Sequence, residues 1–72
     1  MKKFAVVIEK GPRNYSAYVP DLPGCISTGR TLAEIEKNIR EAIGFHIEGL
    51  IEDGDPIPEP TSRVIEVELP VS

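Results

Sequence analysis

The segment PDLPGCISTGRT, residues 20 to 31, holds the chain's one cysteine among prolines and glycines that favour a loop. A cysteine in a loop can act as a nucleophile when a base or a positive field lowers the pKa of its thiol. The one histidine, His46, lies on the apolar side of a helical pattern, and nothing in the sequence brings it to Cys25. We therefore expect Cys25 to behave as a small apolar side chain and the chain to have no catalytic residue.

Carboxylates are the second group that could do chemistry, because two-metal nucleases hold their ions with several converging acids. Glu9 lies at the end of the first predicted strand, and Glu66 and Glu68 alternate along the last one. Residues 4 to 8, the middle of the first strand, contain no acid, and no histidine or cysteine pair has zinc-ligand spacing. The sequence thus predicts neither a metal site nor a cofactor, and a metal-dependent nuclease using these three glutamates stays an alternative.

The charge and size of the chain limit its partners. Twelve acids against eight bases give a net charge of −4, and the cations are scattered along the 72 residues. Nucleic-acid binding needs clustered cations, so we expect no direct nucleic-acid ligand and favour a basic protein partner.

The length of the chain predicts a single domain, residues 1–72. Because a domain of this size buries only about 60% of its unfolded surface, a dimer or higher homo-oligomer is expected too.

The same sequence predicts a cytoplasmic protein. A single cysteine forms no internal disulfide, and no charged region followed by an apolar stretch opens the chain as in a secretory signal. The longest uninterrupted apolar run, Phe4 to Ile8, is far shorter than the roughly 20 residues that span a bilayer. We therefore expect no membrane partner.

The hydrophobic pattern predicts five elements that would position these residues. Their expected bounds are residues 3–9, Tyr15 to Val19 and Cys25 to Thr28 for three strands, Leu32 to Asp53 for a helix, and Arg63 to Leu69 for a last strand. A right-handed crossover after the helix would place the last strand parallel to the third. We therefore expect an α+β fold of order β-β-β-α-β, a mixed four-stranded sheet ordered 3-2-1-4 with one helix on one face.

Glycine, proline and capping residues mark the ends of these elements. Pro23 and Gly24 match the central positions of a type II turn, the second of which requires a positive φ. Thr31 and Glu34 have the spacing of a capping box, in which Glu34 would accept from the Thr31 amide. Two further glycines should act similarly, one in a turn before the helix and one as a left-handed cap after it. The residues expected to have these structural roles are Pro23, Gly24, Gly29, Thr31, Glu34 and Gly54.

One helix covers only one face of such a sheet, so the other face should be partly apolar and open. An open patch of this kind is a candidate surface for self-association. The register that decides which side chains it presents is not fixed by the pattern. The exposed set is either Ala5, Val7 and Tyr18 or the alternate residues Phe4, Val6 and Ile8.

Three residues are candidates for binding a protein partner. Tyr15 and Tyr18, the chain's only tyrosines, have amphipathic rings that suit either an interface or the edge of a core. Asp21, between Pro20 and Leu22, is the third candidate. Its alternative role is a side-chain cap of its own turn, which is the commoner role of an aspartate in a proline- and glycine-rich bend.

Residues 15 to 60 combine several motifs, in the order YSAYV, PDLPGC, TGRT, NIREA and EDG followed by alternating prolines. In combination these motifs resemble the HicB antitoxin family, and the resemblance covers nearly the whole chain. Asn38 to Ala42 matches the family's helix segment directly. One departure is Ile35-Glu36, where the family more often has Glu-Ala, a difference that should alter only how closely the helix approaches the sheet.

The resemblance implies a partial ribonuclease-H-like fold without nuclease machinery. It also implies a non-enzymatic protein that binds and neutralises a HicA-type toxin, a small basic protein that cleaves messenger RNA. Many family members carry a C-terminal DNA-binding domain, and since this sequence stops at Ser72 we expect that activity to be missing. The alternatives are the metal-dependent nuclease above and an orphan self-assembling domain with no toxin partner.

Overall fold

The computed structural model describes residues 1–71, which form three strands followed by one helix. The elements are β1 Val7–Lys10, β2 Tyr15–Tyr18, β3 Ile26–Gly29 and α1 Leu32–Glu52. Both strand pairings are antiparallel, and the sheet order is β1-β2-β3. The helix packs mainly on β3 and β2, so β1 forms the sheet edge that the helix covers least.

The last strand expected over Arg63 to Leu69 is absent from the described residues, so the prediction of a mixed four-stranded sheet ordered 3-2-1-4 is wrong. Residues 55–69 have no regular secondary structure, and the side chains of Val64, Ile65 and Val67 are 60 to 80% exposed. Alternation shows only that a segment suits a strand; a strand also needs a neighbouring strand edge for its hydrogen bonds. The partial ribonuclease-H-like arrangement depended on this strand and is not what these residues form.

The helix begins where the sequence places it, because Thr31 has extended backbone angles and caps it. The Thr31 Oγ1 accepts from the Glu34 N–H at 3.1 Å, which satisfies one of the free amides of the first turn. The Glu34 carboxylate accepts from the Arg30 N–H at 3.2 Å, one residue earlier than the expected Thr31 amide. At the other end Asp53 is the C-cap, and Gly54 follows with a φ of 71°.

The core lies between the helix and the last two strands. Leu22, from the loop between β2 and β3, and Ile35, from the first turn of the helix, have no exposed surface. The Asn38 side chain also ties the helix to the sheet, donating from Nδ2 to the Thr28 carbonyl at 2.8 Å. The complete buried cluster is Ala17, Val19, Leu22, Cys25, Ile35 and Ile39.

Gly24, in the turn before β3, and Gly29, at the end of β3, have different structural roles. Gly24 has a φ of 84°, as a type II turn requires at its third position. Gly29 is not among the glycines of positive φ and is the last residue of β3 instead. A Cβ on Gly29 would lie 2.7 Å from the backbone nitrogen of Ile35. Its small size therefore permits close contact between strand and helix, which differs from the expected turn role.

Candidate functional site

The sheet face opposite the helix carries a row of three apolar side chains, one from each strand. Tyr18 pairs with Val7 on one side and with Ile26 on the other, so the three lie side by side across the sheet. Strand alternation turns Ala17 into the core and therefore turns Tyr18 outward. Tyr18 is 41% exposed and Ile26 70% exposed. We call Val7, Tyr18 and Ile26 the open-face row.

A polar row runs beside the open-face row on the same side of the sheet. Ser16 pairs with Glu9 in β1 and with Thr28 in β3, and all three side chains are exposed. Two hydroxyl groups and one carboxylate therefore border the apolar row. An apolar centre with a polar border is typical of a protein-binding surface.

The structure resolves which alternating set is exposed on this face. Phe4, Val6 and Ile8 pack against the core on the helix side. Val7 and Tyr18 face the other way, as the first of the two expected sets requires. The open face is thus a consequence of one helix covering a three-stranded sheet.

The two tyrosines do not form one site. Tyr15 is partly buried against the core on the helix side, whereas Tyr18 faces the open side. Near the hairpin, Tyr15 lines a small polar pocket with Lys10, Arg13 and Arg30. The candidate pair predicted from composition is therefore divided between opposite faces, and only Tyr18 belongs to the open-face row.

Asp21 lies at the other end of the sheet and binds the segment that follows the helix. Its Oδ2 accepts from the backbone N–H groups of Thr61 and Ser62 at 3.0 and 2.9 Å. Its Oδ1 accepts from the hydroxyl groups of the same two residues, both at 3.0 Å. The Ser62 N–H, supported by the other donors, holds the pKa of Asp21 below its ordinary value of 3.8. Asp21 thus fastens a distant segment, a role different from capping its own turn.

Of the five residues considered for catalysis or metal binding, Glu9 borders the open-face row and the other four lie elsewhere. Cys25 is 3% exposed, and burial raises the pKa of its thiol, which disfavours the nucleophilic thiolate. His46 is half-buried on the helix. Glu66 and Glu68 are exposed on the segment that does not join the sheet. Within residues 1–71, no group of three or more acidic, histidine or cysteine side chains is arranged to hold a metal ion.

Comparison with known proteins identifies the family. A sequence model described as the HicB-like antitoxin of bacterial toxin-antitoxin systems matches residues 4–68. This chain belongs to the HicB-like antitoxin family. The family assignment predicted from the motifs of residues 15 to 60 is therefore confirmed.

Individual relatives of this HicB-like chain come from a phage and from an archaeon. An uncharacterized 14.9 kDa protein of Haemophilus phage HP1 is 48% identical over 56 residues, which cover 78% of this chain and 42% of the phage protein. A UPF0150 protein of Thermoplasma acidophilum is 39% identical over 66 residues, covering 90% of this chain and 96% of that protein. The chain therefore spans less than half the length of the phage relative but nearly all of the archaeal one.

A solved structure extends the likeness to three dimensions. One chain of a structure described as the HicA3 and HicB3 toxin-antitoxin complex matches with a TM-score of 0.72 and 38% sequence identity. The match covers 83% of this chain and 70% of that one.

Within residues 1–71, no helix combines the length and the hydrophobicity that spanning a membrane requires.

Sequence reasoning left one part of this arrangement undecided and missed another. It expected an open face and gave Val7 and Tyr18 in one of two alternative sets, but it did not include Ile26, which the pairing with Tyr18 adds to the row. The hydrogen bonds from Thr61 and Ser62 to Asp21 join residues some 40 positions apart. A threonine-serine pair directly after alternating prolines was the one local signal, since such hydroxyl and amide donors often bind a carboxylate.

Proposed function

We propose that this chain is an antitoxin that neutralises a HicA-type toxin by binding it directly, without catalysis of its own. The observation that carries the proposal is the likeness to a chain of the HicA3 and HicB3 complex, at 38% identity and a TM-score of 0.72. Membership of the HicB-like antitoxin family supports the same role.

The open face supplies a suitable contact surface for such a partner. The open-face row is apolar at its centre, and exposed Glu9 borders it. The chain as a whole has a net charge of −4. A HicA-type toxin is expected to be basic, so complementary charge would speed association and favour this partner over acidic ones. We place the toxin contact on the open face, with Tyr18 near its centre.

Co-expression tests the proposal. The full chain, carrying an affinity tag, is produced together with a HicA-type toxin, and growth and co-purification are measured. We expect normal growth and a co-purifying toxin, whereas the toxin alone arrests growth. Continued growth arrest, with no toxin retained by a well-folded chain, would refute the antitoxin function.

A pair of charge substitutions tests the location. Tyr18→Asp places a carboxylate at the centre of the open-face row and should weaken toxin binding at least about 30-fold, as expected for a central aromatic anchor. Phe45→Asp is the matched control, because Phe45 is an aromatic residue that is 73% exposed on the helix. If Phe45→Asp abolishes binding and Tyr18→Asp does not, the toxin contacts the helix side and the proposed surface is wrong.

A further inference from the structure

Residues 63–69, which we call the C-terminal arm, expose an unpaired apolar stripe. Ile65, Val67 and Leu69 alternate with Glu66 and Glu68, and the three apolar side chains are 64 to 80% exposed. Single exposed apolar residues are ordinary, but an alternating set on an extended segment has the pattern of a strand with one side meant for burial. In the described chain nothing covers that side.

An open groove of complementary character lies elsewhere on the same chain. It runs between β1 and the helix, has a volume of about 220 Å³, and is lined chiefly by apolar residues. It stays open because the helix packs mainly on β3 and β2, which leaves β1 at an uncovered edge. An uncovered edge strand has free backbone groups that another extended segment can bind. The lining residues are Val6, Ile8, Glu36, Ile39, Arg40 and Ile43.

Hydrogen bonds hold the chain just before the arm, and the arm itself is exposed. Asp21 holds Thr61 and Ser62 through four hydrogen bonds, and Lys2 pairs with Glu59 just before them. Beyond these contacts the side chains of the arm are exposed to solvent. The molecule is elongated, with dimensions of 50, 26 and 19 Å, which agrees with an arm that extends from the folded part. The helix accounts for only about 31 Å of such a length. The arm is therefore presented outward while its own chain's groove stays open.

We propose that the C-terminal arm occupies the groove between β1 and the helix of a second copy of this chain. The seven residues of the arm span about 20 Å when extended, comparable with residues 4–10, the segment that contains β1 and contributes Val6 and Ile8 to the groove. Ile65, Val67 and Leu69 then cover the half-buried Val6 and Ile8 of the other copy. The exchange is reciprocal, and two arms in two grooves close a two-fold dimer with no arm left over.

The oligomeric state of the chain alone tests the exchange, with no toxin present. Light scattering after size-exclusion chromatography should find a dimer for the unaltered chain. The double variant Ile65→Asp with Val67→Asp should raise the dimer dissociation constant about 100-fold or more, because each arm loses two apolar contacts. The matched control is Val64→Asp, which adds charge to the opposite side of the same arm and should leave the dimer intact. Circular dichroism verifies that each variant keeps its helix.

A mixing experiment separates exchange from other modes of association. Ile43→Asp alters the groove and keeps a normal arm, whereas the arm double variant keeps a normal groove. Each should be monomeric alone, and an equimolar mixture should form a heterodimer joined by one arm. A monomeric unaltered chain would overturn the proposal, and so would a dimer that survives the arm double variant or is lost only in Tyr18→Asp. Toxin binding is measured in a separate experiment, so a result that refutes the arm exchange does not refute the antitoxin function, and the reverse also holds.

Discussion

Substitution of Gly29 by alanine tests how closely β3 and the helix approach each other. The added Cβ would lie 2.7 Å from the backbone nitrogen of Ile35, 3.0 Å from its Cα and 3.1 Å from the carbonyl carbon of Glu34. Ordinary contact begins near 3.4 Å, so the helix start must move by 3.4 − 2.7 = 0.7 Å relative to the strand. Backbone atoms cannot rotate away as a flexible side chain can, and Ile35 has no exposed surface.

The expected loss of stability is large for a chain of this size. Overpacking a core typically costs 1–3 kcal/mol, and a clash with backbone belongs in the upper half, about 2–3 kcal/mol. A domain of 72 residues has a total unfolding free energy of about 4 to 11 kcal/mol. Gly29→Ala should therefore lower the melting temperature by roughly 10–20 °C. Gly44 is the matched control, because its Cβ would meet nothing within 4 Å.

Urea denaturation followed by helical circular dichroism measures both variants. All samples are compared at one protein concentration, because an associating chain has a concentration-dependent stability. Gly44→Ala should be as stable as the unaltered chain or more stable by about 0.5–1 kcal/mol, since alanine favours helix. A Gly29→Ala variant within about 0.5 kcal/mol of the unaltered chain would refute the close approach of strand and helix.

Three further perturbations have defined outcomes. Asp21→Asn should release Thr61 and Ser62 at neutral pH, seen as faster exchange of the Ser62 amide. Because the folded-state pKa of Asp21 lies below 3.8, the stabilisation is present above that value and is lost as the pH falls through the lowered pKa, where variant and unaltered chain should converge. Thr31→Ala should cost about 1 kcal/mol in the same urea assay by removing the helix cap, and Thr31→Ser should restore most of it. Cys25 should react with a thiol reagent only as fast as the chain unfolds, and rapid labelling of the native chain would contradict its burial.

Local signals were sufficient to predict the helix and the first three strands. The Thr31 cap, the helical period and Gly54 place the helix within one residue of its observed end at Glu52. Alternation around Ala17 likewise marks β2, although no pattern could say that Gly29 is required for contact and not for a turn. These features depend on neighbours a few positions apart, which is the range that propensity and capping describe.

The predictions that were wrong or left open depend on partners distant in sequence. Alternation over Arg63 to Leu69 predicts a strand with one apolar side, but it does not indicate which strand edge the segment would pair with. Asp21 resembled a turn cap because its actual donors, Thr61 and Ser62, lie beyond the helix. The open-face row likewise needed the register of two strand pairings. In each case the sequence predicts that a side chain needs burial or hydrogen-bond donors, and the tertiary structure decides which residues provide them.

Inhibition of messenger RNA cleavage tests the antitoxin function most directly. Purified chain is added in rising proportion to a HicA-type toxin, and the rate of RNA cleavage is followed. Cleavage should fall steadily and stop near a stoichiometric ratio, and the Phe45→Asp variant should inhibit as well as the unaltered chain. Undiminished cleavage in the presence of a large excess of folded chain would contradict the proposal that this protein neutralises such a toxin by binding it.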